Sequence, residues 1–108
     1  MLLHHVGRNS GKASITPLMY FTENDRTYIV ASYAGADEHP AWYYNVLAAP
    51  SVSAEIGTET KSYRAVEVDR SERDRLYADV IVPTAPGFAD YEKKTTRIIP
   101  VIELLPVD

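Results

Sequence analysis

Ser51-Val52-Ser53-Ala54-Glu55-Ile56-Gly57-Thr58-Glu59-Thr60-Lys61-Ser62-Tyr63-Arg64-Ala65-Val66-Glu67-Val68 is the stretch that decides the fold. Polar and apolar residues alternate on both sides of Gly57-Thr58-Glu59, so each arm can bury one face while the glycine link turns the chain back. The spacing predicts a β-hairpin with arms over residues 51–56 and 60–68. Outward from it, turn signals return roughly every eight to twelve residues, as in a small barrel or sandwich. Residues 2–6 read as a strand, Gly7 to Lys12 as a glycine-bracketed turn, 14–21 as a second strand and 27–33 as a third. Pro17 has no N–H for a ladder, which places the second strand at an edge or a bulge. Pro40 suits the first position of a short helix that Pro50 closes. Ser71-Glu72-Arg73-Asp74 resembles a capping box opening a helix to about Val82. Residues 88–94 read as a further short helix and 98–105 as a final strand containing Pro100. The sum is a mainly β chain of about six antiparallel strands with short crossover helices, an order that suits a closed barrel because closure removes exposed edges.

Length and composition set the bounds. A chain of 108 residues holds one domain with one core. The formal net charge of −4 and the scattered Lys and Arg argue against a general nucleic-acid binder. No run approaches the roughly 20 apolar residues of a membrane-spanning helix, and the opening residues lack the features of a secretory signal, so a cytoplasmic setting is expected. With no cysteine there is no disulfide, thiolate metal site or cysteine nucleophile. No serine sits in a nucleophile elbow, and His4 and His5 face opposite ways on a strand, so neither hydrolase nor metal chemistry is expected. Redox chemistry would need a borrowed cofactor.

Three features are capable of holding a ligand, and each also has a plain structural reading. The turn Gly7-Arg8-Asn9-Ser10-Gly11 offers backbone amides and a guanidinium to a phosphate or carboxylate, or is an ordinary solvated turn. Ser32-Tyr33-Ala34-Gly35-Ala36 permits close approach of a ligand or simply ends a strand. In Trp42-Tyr43-Tyr44-Asn45 an indole and an amide stand on neighbouring turns of one helical face, where they wall a planar ligand or pack in the core. Eight tyrosines against two phenylalanines fit either ligand contact or strand propensity.

In order along the chain, Gly7-Arg8-Asn9-Ser10-Gly11, Thr16-Pro17-Leu18, Val30-Ala31-Ser32, Gly35-Ala36, His39-Pro40-Ala41-Trp42-Tyr43-Tyr44-Asn45, Ala49-Pro50, Val52 and Arg97-Ile98-Ile99-Pro100-Val101 resemble the deazaflavin-dependent nitroreductase family of actinobacteria. The likeness spans nearly the whole chain. It implies a split β-barrel of the flavin-binding type, coenzyme F420 as cofactor, and hydride transfer to an electron-poor acceptor such as a quinone, a nitroaromatic or an activated alkene. It further implies that Arg8, Asn9 and Ser10 hold the coenzyme's phosphate and glutamate tail. Ser14, Ile15, Thr16, Pro17, Leu18 and Met19, with Val30, Ala31, Ser32 and Tyr33, would flank the ring. Ala41, Trp42, Tyr43, Tyr44 and Asn45 would close the site, Phe88 would line it, and Tyr91 would be the aromatic hydroxyl available to assist the acceptor. A homodimer is compatible with such a barrel.

The resemblance has departures. Asn9, Ser14 and Tyr33 stand where the family is often basic, which leaves Arg8 and Lys12 to meet an anionic tail. Phe88 stands where a tyrosine is common, and the N-terminal helical extension common in the family is not expected ahead of the first strand. Two other readings follow from the same barrel: a flavin mononucleotide oxidoreductase, and a non-catalytic carrier of F420.

Overall fold

The alternation of the sequence becomes the two faces of one antiparallel sheet in the computed structural model, which describes residues 1–107. Its strands are β1 (Leu2–Val6), β2 (Ala13–Pro17), β3 (Tyr20–Glu23), β4 (Arg26–Val30), β5 (Ser51–Ile56), β6 (Glu59–Glu67) and β7 (Val101–Pro106). They lie side by side in the order β2-β1-β5-β6-β7-β4-β3. The hairpin read from residues 51–68 is present, with Ser51 opposite Arg64 and Ile56 opposite Glu59.

One expectation changes in a way that shapes the molecule. Residues 14–21 do not form one strand: β2 stops at Pro17, Leu18-Met19 turn a corner, and β3 begins at Tyr20. Pro17 cannot donate to a continuing ladder, and β2 does lie at an edge. The strand count therefore rises from about six to seven. β2 and β3, joined by two residues, occupy opposite ends of the strand order. From Pro17 to Tyr20 the backbone can reach at most about 11 Å. The edges of a flat seven-stranded sheet would stand about 29 Å apart. The sheet must curl until its edges approach, yet β2 and β3 share no ladder, and the result is a split barrel.

Two packed clusters follow from the pleat. Leu3, Ile29, Val52, Ala54, Ile102 and Leu104 point to one face and pack with Trp42 and Val46. Tyr28, Val30 and Val101 point the other way and pack with Phe21, Leu76, Tyr77, Ile81 and Ile99. Strands β4 and β7 are thus buried on both faces, by the barrel interior and by the helices laid outside it. Those outer helices are α2 (Arg70–Leu76), α3 (Val82–Thr84) and α4 (Gly87–Lys93), while α1 (Ala41–Ala48) packs Trp42 and Val46 into the interior cluster. None is long and apolar enough to cross a membrane.

The remaining boundaries differ from the sequence reading for local reasons. β4 ends at Val30, short of residue 33, because Tyr33 and Ala34 enter left-handed conformation at φ 46° and 53°. Pro40 is the residue before α1 and not its first helical residue. The cap of α2 is Asp69, whose carboxylate accepts the Glu72 N–H at 2.8 Å, so the capping box around Ser71 is not used. Beyond Leu76 the helix widens into a π turn (Tyr77–Ile81) that leads to α3. β7 starts after Pro100, which lacks the N–H a ladder needs. Arg73, 7% exposed, joins these parts: it donates to Ile99 O at 2.9 Å, Asp74 at 2.8 Å and Glu92 at 2.7 Å. Asp69→Ala is expected to lower unfolding free energy by about 1 kcal/mol. Ser71→Ala, at an exposed position, should change it by less than about 0.5 kcal/mol. Urea unfolding of the two variants checks which residue caps α2.

Candidate active site

The strand alternation and the β2–β3 corner place several of the sequence candidates around one hollow. β2 presents Ser14 and Thr16, the corner presents Leu18, the end of β4 and the turn after it present Val30, Ser32 and Tyr33, and α1 presents Ala41, Trp42 and Asn45. Together with His5, Ala34 and Pro40 they line a cavity of about 570 Å³. Its walls combine apolar surfaces (Leu18, Pro40, Trp42) with hydroxyl, amide and imidazole groups, the pattern of a site for a flat polar-edged ring. A second hollow of about 230 Å³ lies against the turn, lined by Gly7, Arg8, Asn9, Ser10, Ala41 and Asn45. Ala41 and Asn45 belong to both, so the ring-sized cavity and the hollow at the Arg8 turn adjoin along α1.

The other candidates lie elsewhere. Ile15, Pro17 and Met19 are exposed and not on the cavity wall; the pleat that turns Ser14 and Thr16 inward turns Ile15 and Pro17 outward. Ala31 is wholly buried in the interior cluster. Tyr43 turns away from the cavity and donates its hydroxyl to Glu67 at 2.6 Å; burial and the Glu67 carboxylate push its pKa well up. Tyr44 lies beneath the Arg8 guanidinium, 4.4 Å from its ring centre. Phe88 packs edge-on against Phe21, with ring centres 5.3 Å apart, and Tyr91 packs on Phe88 at 5.2 Å. Both belong to the outer cluster and neither lines the ring cavity. The backbone of Tyr91 nevertheless backs the site, because a Cβ at Gly35 would stand 2.8 Å from its carbonyl oxygen.

One residue of the cavity wall escaped the sequence reading, which weighed His5 only as a metal ligand. His5 is 5% exposed and joins the two hollows through a chain of hydrogen bonds. The Arg8 backbone N–H donates to Asn45 Oδ1 at 3.0 Å, Asn45 Nδ2 meets His5 Nδ1 at 3.1 Å, and His5 Nε2 meets Thr16 Oγ1 at 2.8 Å. An N–H can only donate, so Asn45 offers its NH₂ to His5, Nδ1 must accept, and the ring proton sits on Nε2. His5 is therefore neutral in this arrangement. Burial lowers its pKa from the usual 6.5, and the neighbouring His4 lowers it further. The signal available in the sequence was parity: His5 shares a strand face with Leu3, the inward face.

The family described as F420H(2)-dependent quinone reductase matches residues 1–106. The chain belongs to that family. Among curated relatives, Rv3178 of Mycobacterium tuberculosis (strain ATCC 25618 / H37Rv), which carries the same family name, is 38% identical over 106 residues, 98% of this chain and 88% of that protein. The F420H(2)-dependent quinone reductase Rv1261c of the same strain is 33% identical over 96% of this chain and 71% of its own length. A solved F420-H2 dependent reductase, FDR-A, superposes with a TM-score of 0.83 at 38% identity, covering 95% of this chain and 90% of that one. A domain-swapped dimer of equal identity superposes at 0.84, covering 95% and 77%. HutZ, a heme storage protein of Vibrio cholerae, shares the fold alone, at 17% identity and a TM-score of 0.66. The split barrel expected from the sequence is thus the family's fold, and this F420H(2)-dependent reductase uses F420 as its coenzyme.

The locked chain through His5 makes stability depend on pH. Below pH 6.5 the unfolded chain takes up a proton on His5 that the folded chain resists. The folded state therefore loses stability as pH falls below 6.5, until the lowered folded-state value is passed. Urea unfolding of wild type and His5→Gln at pH 7.5 and about 5.5 is the check: the drop should be smaller in the variant, and equal drops would remove His5 as its source.

Proposed function

We propose that this reductase acts in the cytoplasm, seating the ring of reduced F420 in the 570 Å³ cavity and the start of its anionic tail against Arg8, and passing reducing equivalents to a quinone. The observation that carries this reading is that the two hollows share Ala41 and Asn45, which puts a ring-sized space beside the turn that carries a cation. When bound, the reduced coenzyme supplies a hydride. The protein's own residues have simpler tasks. Trp42 and Leu18 offer flat and branched apolar walls, while Ser14, Thr16 and Ser32 offer hydroxyls to polar ring edges. Asn45 fixes the turn that carries Arg8 and, through His5, orients Thr16. Arg8 is the cation lining the smaller hollow, in line with weaker grip on the tail than a more basic turn would give.

We include a nitroaromatic and an activated alkene beside a quinone as acceptors to be tried. The expectation that Tyr91 assists the acceptor draws no support from its packing on Phe88, so we assign any proton the acceptor needs to solvent. The family assignment favours F420 over flavin mononucleotide and over a carrier without turnover. A homodimer is proposed on the likeness to the domain-swapped dimer.

Fluorescence titration with F420 and with flavin mononucleotide tests the central reading: F420 should bind more tightly, and preference for the flavin would overturn it. Arg8→Ala should weaken F420 binding about ten- to hundredfold, the range for a lost charge-assisted hydrogen bond, and should matter less for the coenzyme stripped of its glutamates. Equal losses for both forms would take Arg8 away from the tail.

A further inference from the structure

Tyr33, Ala34 and Gly35 are consecutive residues in left-handed conformation, at φ 46°, 53° and 80°. Glycine tolerates this, but a tyrosine and an alanine do so only where the surroundings hold them. The two non-glycine residues line the ring cavity. Within the segment only the Gly35 N–H to Ser32 O and Ala36 N–H to Tyr33 O bonds close the turn. These do not fix it against the rest of the molecule.

Arg97 does. From the segment before β7 its guanidinium donates to Ala36 O at 2.7 Å, Ala31 O at 3.1 Å and Ser32 O at 2.7 Å. A further N–H meets His39 Nδ1 at 3.0 Å, which makes that nitrogen an acceptor. Four bonds from one planar group reach four residues between 31 and 39, on both sides of the left-handed turn. No carboxylate among the described residues pairs with this guanidinium, so the charge is met by carbonyl dipoles. Such a set of acceptors suits the fixed fork of arginine and not the single ammonium of lysine.

We propose that Arg97 is a positioning residue, holding Tyr33–Gly35 in the left-handed conformation that forms one wall of the coenzyme cavity. It touches neither ring nor acceptor; its effect runs through the backbone of the wall. The coenzyme part of this inference rests on the F420 reading, whereas the wall itself is testable without coenzyme.

Arg97→Lys and Arg97→Met, each alone and combined with Ala34→Gly, provide the test. In the coenzyme-free protein, amide hydrogen exchange at Gly35 and Ala36 should speed about tenfold or more in Arg97→Lys, while the Ile29 and Ile102 amides in the doubly buried strands keep wild-type rates. The F420 dissociation constant should rise about tenfold. Ala34→Gly removes the strain at φ 53° and should recover part of both effects in the Arg97 variants, with a smaller change in the wild-type background. Where Arg97→Met does not fold, Arg97→Lys carries the comparison. Unchanged exchange at Gly35 and Ala36, equal loss of protection across the whole sheet, or an Ala34→Gly effect that is the same in both backgrounds would each overturn the proposal. Failure of the wild type to bind F420 would instead strike the functional reading and leave the exchange result to decide the role of Arg97.

Discussion

The two-residue link Leu18-Met19 is the constraint on which the rest of the architecture depends. It ties together the two edge strands of a seven-stranded sheet, and so leaves curling as the only shape the sheet can take. The ring cavity sits at the consequence of that tie. Leu18 belongs to its wall, β2 supplies one side, and the end of β4, next to the other edge, supplies the opposite side. A closed barrel of this size would fill its interior with side chains. Leaving the seam unpaired leaves room for a ligand between edges that the chain nevertheless keeps close.

Around this cavity the polar groups are fixed through the backbone more than through charge pairs. The Arg8 N–H sets the amide of Asn45, which sets the tautomer of His5, which orients Thr16. On the facing wall a guanidinium gathers carbonyls in place of carboxylates. The described residues leave no buried side-chain nitrogen or oxygen without a partner. A site organised in this way is oriented before any ligand arrives, which suits a protein whose bound coenzyme performs the chemistry and whose own task is placement.

Much of this was legible in the sequence, for identifiable reasons. The hairpin at residues 51–68 was plain because one buried face enforces strict alternation. The ligand-capable turn, strand end and Trp42 helix were visible because glycine, small residues and a lone indole are locally distinctive, and the ordered motifs pointed to the family. What stayed hidden depends on the third dimension. The Leu18-Met19 corner looks like strand because nothing in its side chains announces a bend. Tyr91 and Phe88 read as cavity aromatics although α4 lays them on the outer cluster. Tyr43 shares the helix of Trp42 but falls on the opposite side, toward Glu67. The grip of Arg97 on residues 31–39 spans more than half the chain, and no local pattern encodes a contact of that range.

The position of β7 in the sheet carries a kinetic consequence. The last strand of the chain is inserted between β6 and β4, near the middle of the order and not at an edge. Before it arrives, β2-β1-β5-β6 and β4-β3 are separate ribbons joined only through the corner and the loops. Contacts such as Ile29 with Ile102 close very long stretches of chain, the class of topology that folds slowly. During synthesis the sheet therefore cannot be completed until residues 101–106 have left the ribosome, and until then two half-sheets with open edges must be kept from other strands.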